Sequence, residues 1–218
     1  ENLHIQINIQ SNIEVKNTPP DRQGSPIHKG KEDATVPIKY CNQCGTPTVI
    51  KIPHGDNLPR SVCESCGFIQ YENPKVIVGC IAEWEDKILL CKRAIEPRLG
   101  YWTLPAGFLE NNETSQEGAL RETLEEANAK ATIIDAFSLI DIPHINQIYL
   151  LYRAQLANAS FSTTFESSEV GLFDETTLPW DEIAFAAIKK SLERYFDDKR
   201  KGIFSLHVET INASTQNK

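Results

Sequence analysis

The sequence is as informative for what it lacks as for what it holds. It contains no methionine, at its first position or anywhere else, so its true start is expected to be missing or processed, and a targeting peptide is neither seen nor excluded. No run approaches the roughly 18 apolar residues of a membrane-spanning helix, so no membrane partner is expected. Positive charge is in deficit: 22 Lys and Arg face 30 Asp and Glu, a net charge of −8. Phosphate neutralisation dominates binding to nucleic acid through a broad basic surface, and this balance argues against it. No internal repeat is visible. What remains is a globular composition, 218 residues with 40% hydrophobic and 24% charged, enough for one ordinary domain plus a small one.

The organising stretch runs from Gly107 to Ala129. Thr114 is a good N-cap and Glu117, three residues later, completes a capping box, which predicts a helix from Ser115. Leu120, Thr123, Leu124 and Ala127 recur at helical spacing and predict one inward stripe. Arg121, Glu122, Glu125 and Glu126 then fall together on the other side. Like charges three and four residues apart repel, so such a face needs a cation. Hard oxygen ligands select magnesium or manganese, with a diphosphate substrate supplying further ligands.

Two Cys-x2-Cys pairs, Cys41/Cys44 and Cys63/Cys66, lie eighteen residues apart in the sequence. Each pair is expected to form a turn that aims two thiolates at one point, with Gly45 and Gly67 directly behind, and the four sulfurs suit tetrahedral zinc. The alternative is a pair of disulfides in a secreted protein. Cys80 and Cys91, set in apolar strand-like runs, favour zinc. With four protein ligands the site is closed, and its expected role is structural.

The remaining segments fall into place around these two. Residues 1–13 alternate Leu3, Ile5, Ile7 and Ile9 with polar residues, which suits a strand or a leader remnant; 14–37, with scattered Pro and Gly, reads as a flexible linker. Strands are expected at 76–82 and 88–91, joined as a hairpin, and at 131–142 and 147–156, with Pro143 and Asn146 in the turn. A second helix is expected over 181–199, burying Ile183, Ala187, Ile188, Leu192, Tyr195 and Phe196 and stopping at Gly202. Residues 203–208 are a candidate edge strand. Strands alternating with two helices predict an α/β class, a sheet between helices. The expected boundaries are an N-terminal extension over 1–37, a ribbon over 38–72, a catalytic domain over 73–205 and a tail over 206–218. Arg93 is a candidate phosphate contact, since guanidinium matches phosphate oxygens. Tyr101, Trp102, Phe108 and Phe161 are candidate stacking surfaces, and Glu169 is read as unpaired by any nearby basic residue.

Gly107, Glu113 and the run Arg121-Glu122-Thr123-Leu124-Glu125-Glu126-Ala127-Asn128-Ala129 resemble the Nudix box, G-x5-E-x7-R-E-U-x-E-E-x-G-U, with U an apolar residue. Thr123 and Asn128 depart from it; Asn is the next-best residue to Gly for the left-handed turn expected there. The resemblance implies an α/β/α sandwich with a mixed sheet, preceded by a zinc ribbon, and metal-dependent cleavage of a nucleoside diphosphate linked to another group. It implies Glu122 and Glu126 as metal ligands, Glu125 as a third ligand or the base, Arg121 and Glu113 as an orienting pair, and Glu169 as a further metal ligand. Gly107, Arg93 and Trp102 fall to substrate binding. The Ser-Gln-Pro-Trp-Pro-Phe-Pro motif of NADH-cleaving members is missing after the box. The segments around Arg93, Trp102 and Pro143 instead resemble the plant plastid FAD pyrophosphatases of the family, which implies FAD split to FMN and AMP. ADP-ribose, NADH, or a catalytically idle nucleotide-binding module are the alternatives. A homodimer and an intracellular setting, plastid or cytoplasmic, follow from the resemblance alone.

Overall fold

A computed structural model describes residues 38–213. The expectations for 1–37 and for the last five residues lie outside the described residues. The first structured piece is a three-stranded antiparallel sheet, β1 (Thr48–Lys51), β2 (Arg60–Cys63) and β3 (Ile69–Gln70), in the order β1-β2-β3.

The second piece is a mixed sheet with a helix on each face. Its strands are β4 (Lys75–Trp84), β5 (Lys87–Arg93), β6 (Trp102–Thr103), β7 (Ala106–Phe108), β8 (Ala131–Ile142), β9 (Gln147–Leu156), β10 (Ser167–Phe173) and β11 (His207–Thr210). The order is β10-β5-β4-β9-β8-β11, with β6 on β5 and β7 on β4. β4 runs parallel to β9 and β11 parallel to β8, while the other pairs are antiparallel. Helix α1 (Ser115–Ala127) follows β7, and α2 (Ala186–Lys201) precedes β11.

The alternation of β4 and β5 explains the layering. Ile77, Ile81, Ile88 and Leu90 join Ala187, Ile188, Leu192 and Tyr195 in one core, under α2. Val78, Cys80, Ala82, Leu89 and Cys91 join Ala119 and Ala127 of α1 in the other. Successive side chains of a strand point to opposite faces, so a strand covered on both sides reads as a continuous apolar run. This is the expected α/β/α sandwich with a mixed sheet. The hairpin closes at Trp84 opposite Lys87, with Glu85 in the left-handed region (φ 52°). Cys80 and Cys91 are buried thiols, and burial pushes Cys80 up to about 11, which keeps it protonated.

Three expectations needed correction. The second helix begins at Ala186, not at Asp181, because Trp180–Glu182 forms a 3-10 turn and the next residues serve the sheet: Ile183 bridges Trp102, and the Ala184 N–H donates to the Trp102 carbonyl at 2.8 Å. Ile183 therefore packs ahead of the helix, whereas the other five expected residues are buried on it. The edge strand lies at His207–Thr210, later than 203–208. Residues 203–205 are occupied in closing the helix end, with the N–H groups of Ile203 and Ser205 donating to the Asp198 carbonyl and carboxylate. The sheet thus extends past the boundary expected at 205, and Ile211 beyond it is buried in the core.

Candidate active site

The capping box at Thr114 fixes where α1 starts. Thr114 Oγ1 accepts from the Glu117 N–H, and the Glu117 carboxylate accepts from the Thr114 N–H at 2.8 Å. The helix ends at Asn128 in the left-handed region (φ 51°), where its N–H donates to the Leu124 carbonyl. Between these caps the buried face differs from the expected stripe. Ala119, Thr123 and Ala127 pack on the sheet, Leu124 is 46% exposed, and Glu122 and Glu126 turn inward at 8% and 6%. The apolar stripe placed the face about one residue too far round: small residues at 119, 123 and 127 let the helix lie close to β4, which swings the two glutamates toward β7.

That approach explains Gly107. A Cβ there would sit 2.4 Å from the Glu122 carboxylate, so only glycine leaves room for it. One residue earlier, the Ala106 N–H donates to Glu126 Oε2 at 3.1 Å. Arg121 braces the group. Its Nε and Nη2 donate to both oxygens of Glu113 at 3.0 and 2.8 Å, and Nη1 donates to Glu122 and Glu125 at 2.8 and 2.9 Å. Two parallel bonds between a guanidinium and a carboxylate fix orientation as well as charge. Arg121 accordingly holds the Glu113 carboxyl down at about 2. Glu126 goes the other way: burial pushes it up to about 8, opposed by its bond from Ala106 and reinforced by the neighbouring Glu122. Burial also raises Glu122, against the pull of Arg121.

Arg121, Glu122, Glu125 and Glu126 line a cleft of about 630 Å³ together with Arg93, Gly107, Phe108, Ile142, Tyr149, Glu166 and Phe185. The segment before β10 delivers Glu166, and the structure corrects the sequence reading here. Glu169 does not line the cleft. It stands opposite Lys92 in the β5–β10 ladder and forms an ion pair with it at 2.6 Å, so it is not unpaired. Glu166 lies close enough to raise both Glu122 and Glu126 electrostatically. The sequence showed two glutamates three residues apart, and only the strand pairing tells them apart.

The remaining candidates divide. Arg93 is in the cleft, its Nε tied to the Pro97 carbonyl at 2.7 Å and its guanidinium 5.1 Å above the Phe185 ring. Trp102 is not: at 8% exposure it packs edge-on to Phe173, centroids 4.9 Å apart, within the core under α2. The bond that β6 makes to β5 turns its side chain inward. Of the four aromatics, Phe108 lines the cleft, while Phe161 packs in the core under α1. Tyr149 and Phe185, which do line it, lie in the expected strand at 147–156 and the expected helix at 181–199, where nothing singled them out.

The four ribbon cysteines also converge. All four sulfurs lie within 4.8 Å of one another, with Cys41 and Cys66 at 3.6 Å and Cys44 and Cys63 at 3.5 Å. Each Cys-x2-Cys pair sits on the same kind of turn: the Gly45 N–H donates to the Cys41 carbonyl and the Gly67 N–H to the Cys63 carbonyl, both glycines at φ above 70°. No disulfide joins them. Four thiols at one point are a donor set that fits zinc. Among the described residues, no helix is long and apolar enough to cross a membrane.

Residues 39–72 match the family described as Nudix N-terminal, a zinc ribbon, and residues 73–197 match the NUDIX domain. A crystal structure of a NUDIX hydrolase from Nitrosomonas europaea is 52% identical, with a TM-score of 0.78 over 80% of this chain and 99% of that one. An ADP-ribose pyrophosphatase of Methanocaldococcus jannaschii is 31% identical over 113 residues, 50% of this chain and 67% of that protein. A NAD-capped RNA hydrolase, NudC, of Vibrio atlanticus is 26% identical over 170 residues, 77% of this chain but 61% of that protein, so the chain spans less than two thirds of its length.

Proposed function

We propose that this chain, which belongs to the Nudix hydrolase family, hydrolyses the diphosphate bond of a nucleoside diphosphate derivative, with FAD, split to FMN and AMP, as the first candidate. The observation that carries the proposal is the meeting of Glu122, Glu126 and Glu166 with Arg93 and the rings of Tyr149 and Phe185 at one cleft. Carboxylates crowded into one cleft, two of them buried and with Arg121 already shared among Glu113, Glu122 and Glu125, fit a hard divalent cation, magnesium or manganese. When bound, such an ion polarises phosphoryl oxygens and lowers the pKa of a coordinated water.

The protein groups take the remaining roles. Glu122, Glu126 and Glu166 would hold the metal. Arg93, with its Nε already committed to Pro97, would offer its terminal nitrogens to a phosphate. Arg121 and Glu113 hold Glu122 and Glu125 in place. Glu125, tied through Oε2 to Arg121, would keep Oε1 to accept the proton of the attacking water. The isoleucines Ile77, Ile142 and Ile145, with Phe185, give the cleft an apolar side suited to a planar ring.

ADP-ribose is the second reading, favoured by the Methanocaldococcus relative. Purified protein with magnesium, incubated with FAD, ADP-ribose, NADH and coenzyme A, separates them by chromatography. FMN plus AMP supports the first reading, AMP plus ribose phosphate alone the second, and no product from any of the four sinks both in favour of an idle binding module. Near-wild-type turnover by Glu122→Gln or Glu126→Gln at saturating magnesium would remove the metal scheme. Light scattering on the same sample tests the homodimer that the resemblance implies. A plastid setting is not part of the proposal, since the relatives named above are bacterial and archaeal.

A further inference from the structure

The loop that delivers Glu166 is fastened to the end of α1, and one side chain does much of the fastening. The last carbonyls of a helix have no partner within it. Here the Ser162 N–H donates to the Ala127 carbonyl at 2.9 Å, and the Thr164 hydroxyl donates to the Glu126 carbonyl at 3.4 Å. The same hydroxyl oxygen accepts from the Glu166 N–H at 3.2 Å. On its other side, the Glu166 carbonyl accepts from the Ala94 N–H at 2.8 Å. Asn128, at the helix cap, adds the side-chain link: Nδ2 donates to Ser162 Oγ at 2.8 Å and to the Thr163 carbonyl at 3.4 Å. A short chain of hydrogen bonds therefore runs from Asn128 through residues 162–164 to the backbone of Glu166. A bare cap needs only a residue that tolerates φ 51°; Asn128 does more than cap.

We propose that Asn128 is a positioning residue that sets the place of Glu166 against Glu122 and Glu126, and so tunes the affinity of the cleft for its divalent cation. This rests on the reading of Glu166 as a ligand. Asn128 acts through the loop backbone and touches neither metal nor substrate.

The test is manganese binding, followed by the loss of the free-ion electron paramagnetic resonance signal on titrating the zinc-loaded full chain. Thermal midpoints are recorded alongside. Asn128→Gly keeps the left-handed cap and removes the amide. Ser162→Ala removes the hydroxyl acceptor without touching the cap, and carries the test if the glycine variant folds poorly. Glu166→Gln is expected to weaken binding at least about 10-fold, and Asn128→Gly and Ser162→Ala by up to about 10-fold, the lower range for groups that orient a ligand. Neither substitution is expected to weaken binding further when combined with Glu166→Gln, a non-additivity that a merely structural role would not produce. Wild-type binding by Asn128→Gly beside a weakened Glu166→Gln overturns the inference and spares the metal reading. Equal losses that add in the double variant also overturn it. Wild-type binding by Glu166→Gln removes Glu166 from the metal site and the inference with it.

Discussion

The ribbon and the catalytic domain each gather candidate ligand side chains, the first at one point and the second along a cleft, and they do so with opposite means. In the ribbon, two local turns aim four sulfurs at one point, and the apolar core is thin: Cys41, Pro53, Val62 and Cys63 are covered, with Ser61 and Gln70, while Tyr40, Ile50, Ile52, Leu58 and Tyr71 are exposed. In the catalytic domain, two cores fill both faces of the sheet before any ligand is counted. Ordering each residue costs roughly 1–2 kcal/mol of backbone entropy, which a three-stranded sheet with so small a core does not offset. The ribbon is therefore expected to need a metal in order to fold, whereas the catalytic domain has cores that do not depend on one. The difference teaches that a ligand cluster read from sequence means a scaffold in one place and a tool in the other.

Removing zinc is the largest way to break this comparison. A thiol-directed chelator, or Cys63→Ser, forfeits a binding free energy of about 10 kcal/mol or more. Amide resonances of residues 39–70 are expected to collapse to unfolded positions in a nitrogen–proton correlation spectrum while those of 75–210 stay dispersed. Joint loss of both sets would mean that the catalytic domain leans on the ribbon after all.

Next in size is the core of the catalytic domain itself. Trp102→Ala empties a buried site against Phe173 and is expected to lower unfolding free energy by about 3–5 kcal/mol in urea titration. A raised KM with unchanged stability would instead return Trp102 to the substrate cleft. Gly107→Ala is expected to leave the urea midpoint nearly unchanged, because the clash falls on the movable end of Glu122. The displaced carboxylate is expected to cut kcat by about 10- to 100-fold, the scale of a misplacement near 1 Å. Full activity in that variant would show that Glu122 has room to spare.

Legibility followed the range of the interactions. The capping box, the left-handed Asn128 and both Cys-x2-Cys turns are set within a few residues, and each stood in the sequence as the structure has it; the β4–β5 hairpin was also expected, with its connection over 83–87 tightened to Glu85 and Asp86. The strands at 131–142 and 147–156 were equally plain, because turn residues bound them. Features set by pairing at a distance were not. Glu166 and Glu169 differ in placement, the first in the cleft and the second paired with Lys92, far away in the chain. The inward turn of Glu122 and Glu126 depends on how closely Ala119 and Thr123 approach β4, which the apolar pattern of α1 does not encode. Trp102 departs from its expected place for the same reason, since its pairing opposite Lys92 hides it, while the late start of α2 leaves Phe185 at the N-cap beside Arg93.

The smallest expected effect lies at the far edge of the catalytic sheet, where packing gives way to charge. Among the described residues β11 has only β8 beside it, and Val208 and Thr210 face solvent. Glu209, between them, reaches α2 and pairs with Lys190 at 2.6 Å and Arg194 at 2.7 Å. Arg194, with Lys190, holds the Glu209 carboxyl at about 2, below its ordinary 4.5. A carboxyl whose pKa is lowered on folding stabilises the folded state above its unfolded pKa, and that contribution fades as pH falls from about 4.5 through about 2. Glu209→Gln lacks the contribution at every pH. The wild-type advantage over Glu209→Gln, about 1 kcal/mol or less for such a pair, is therefore expected to be constant above pH 5 and to vanish near pH 2. Asp198, whose carboxyl is held below its ordinary value by His207 against the effect of burial, adds a pH dependence of its own, so it is the difference between the two proteins, followed by urea titration of each, that isolates Glu209. An advantage that persisted at pH 2 would mean that Glu209 holds the strand through packing, and that this edge is no more dependent on polar contacts than the core behind it.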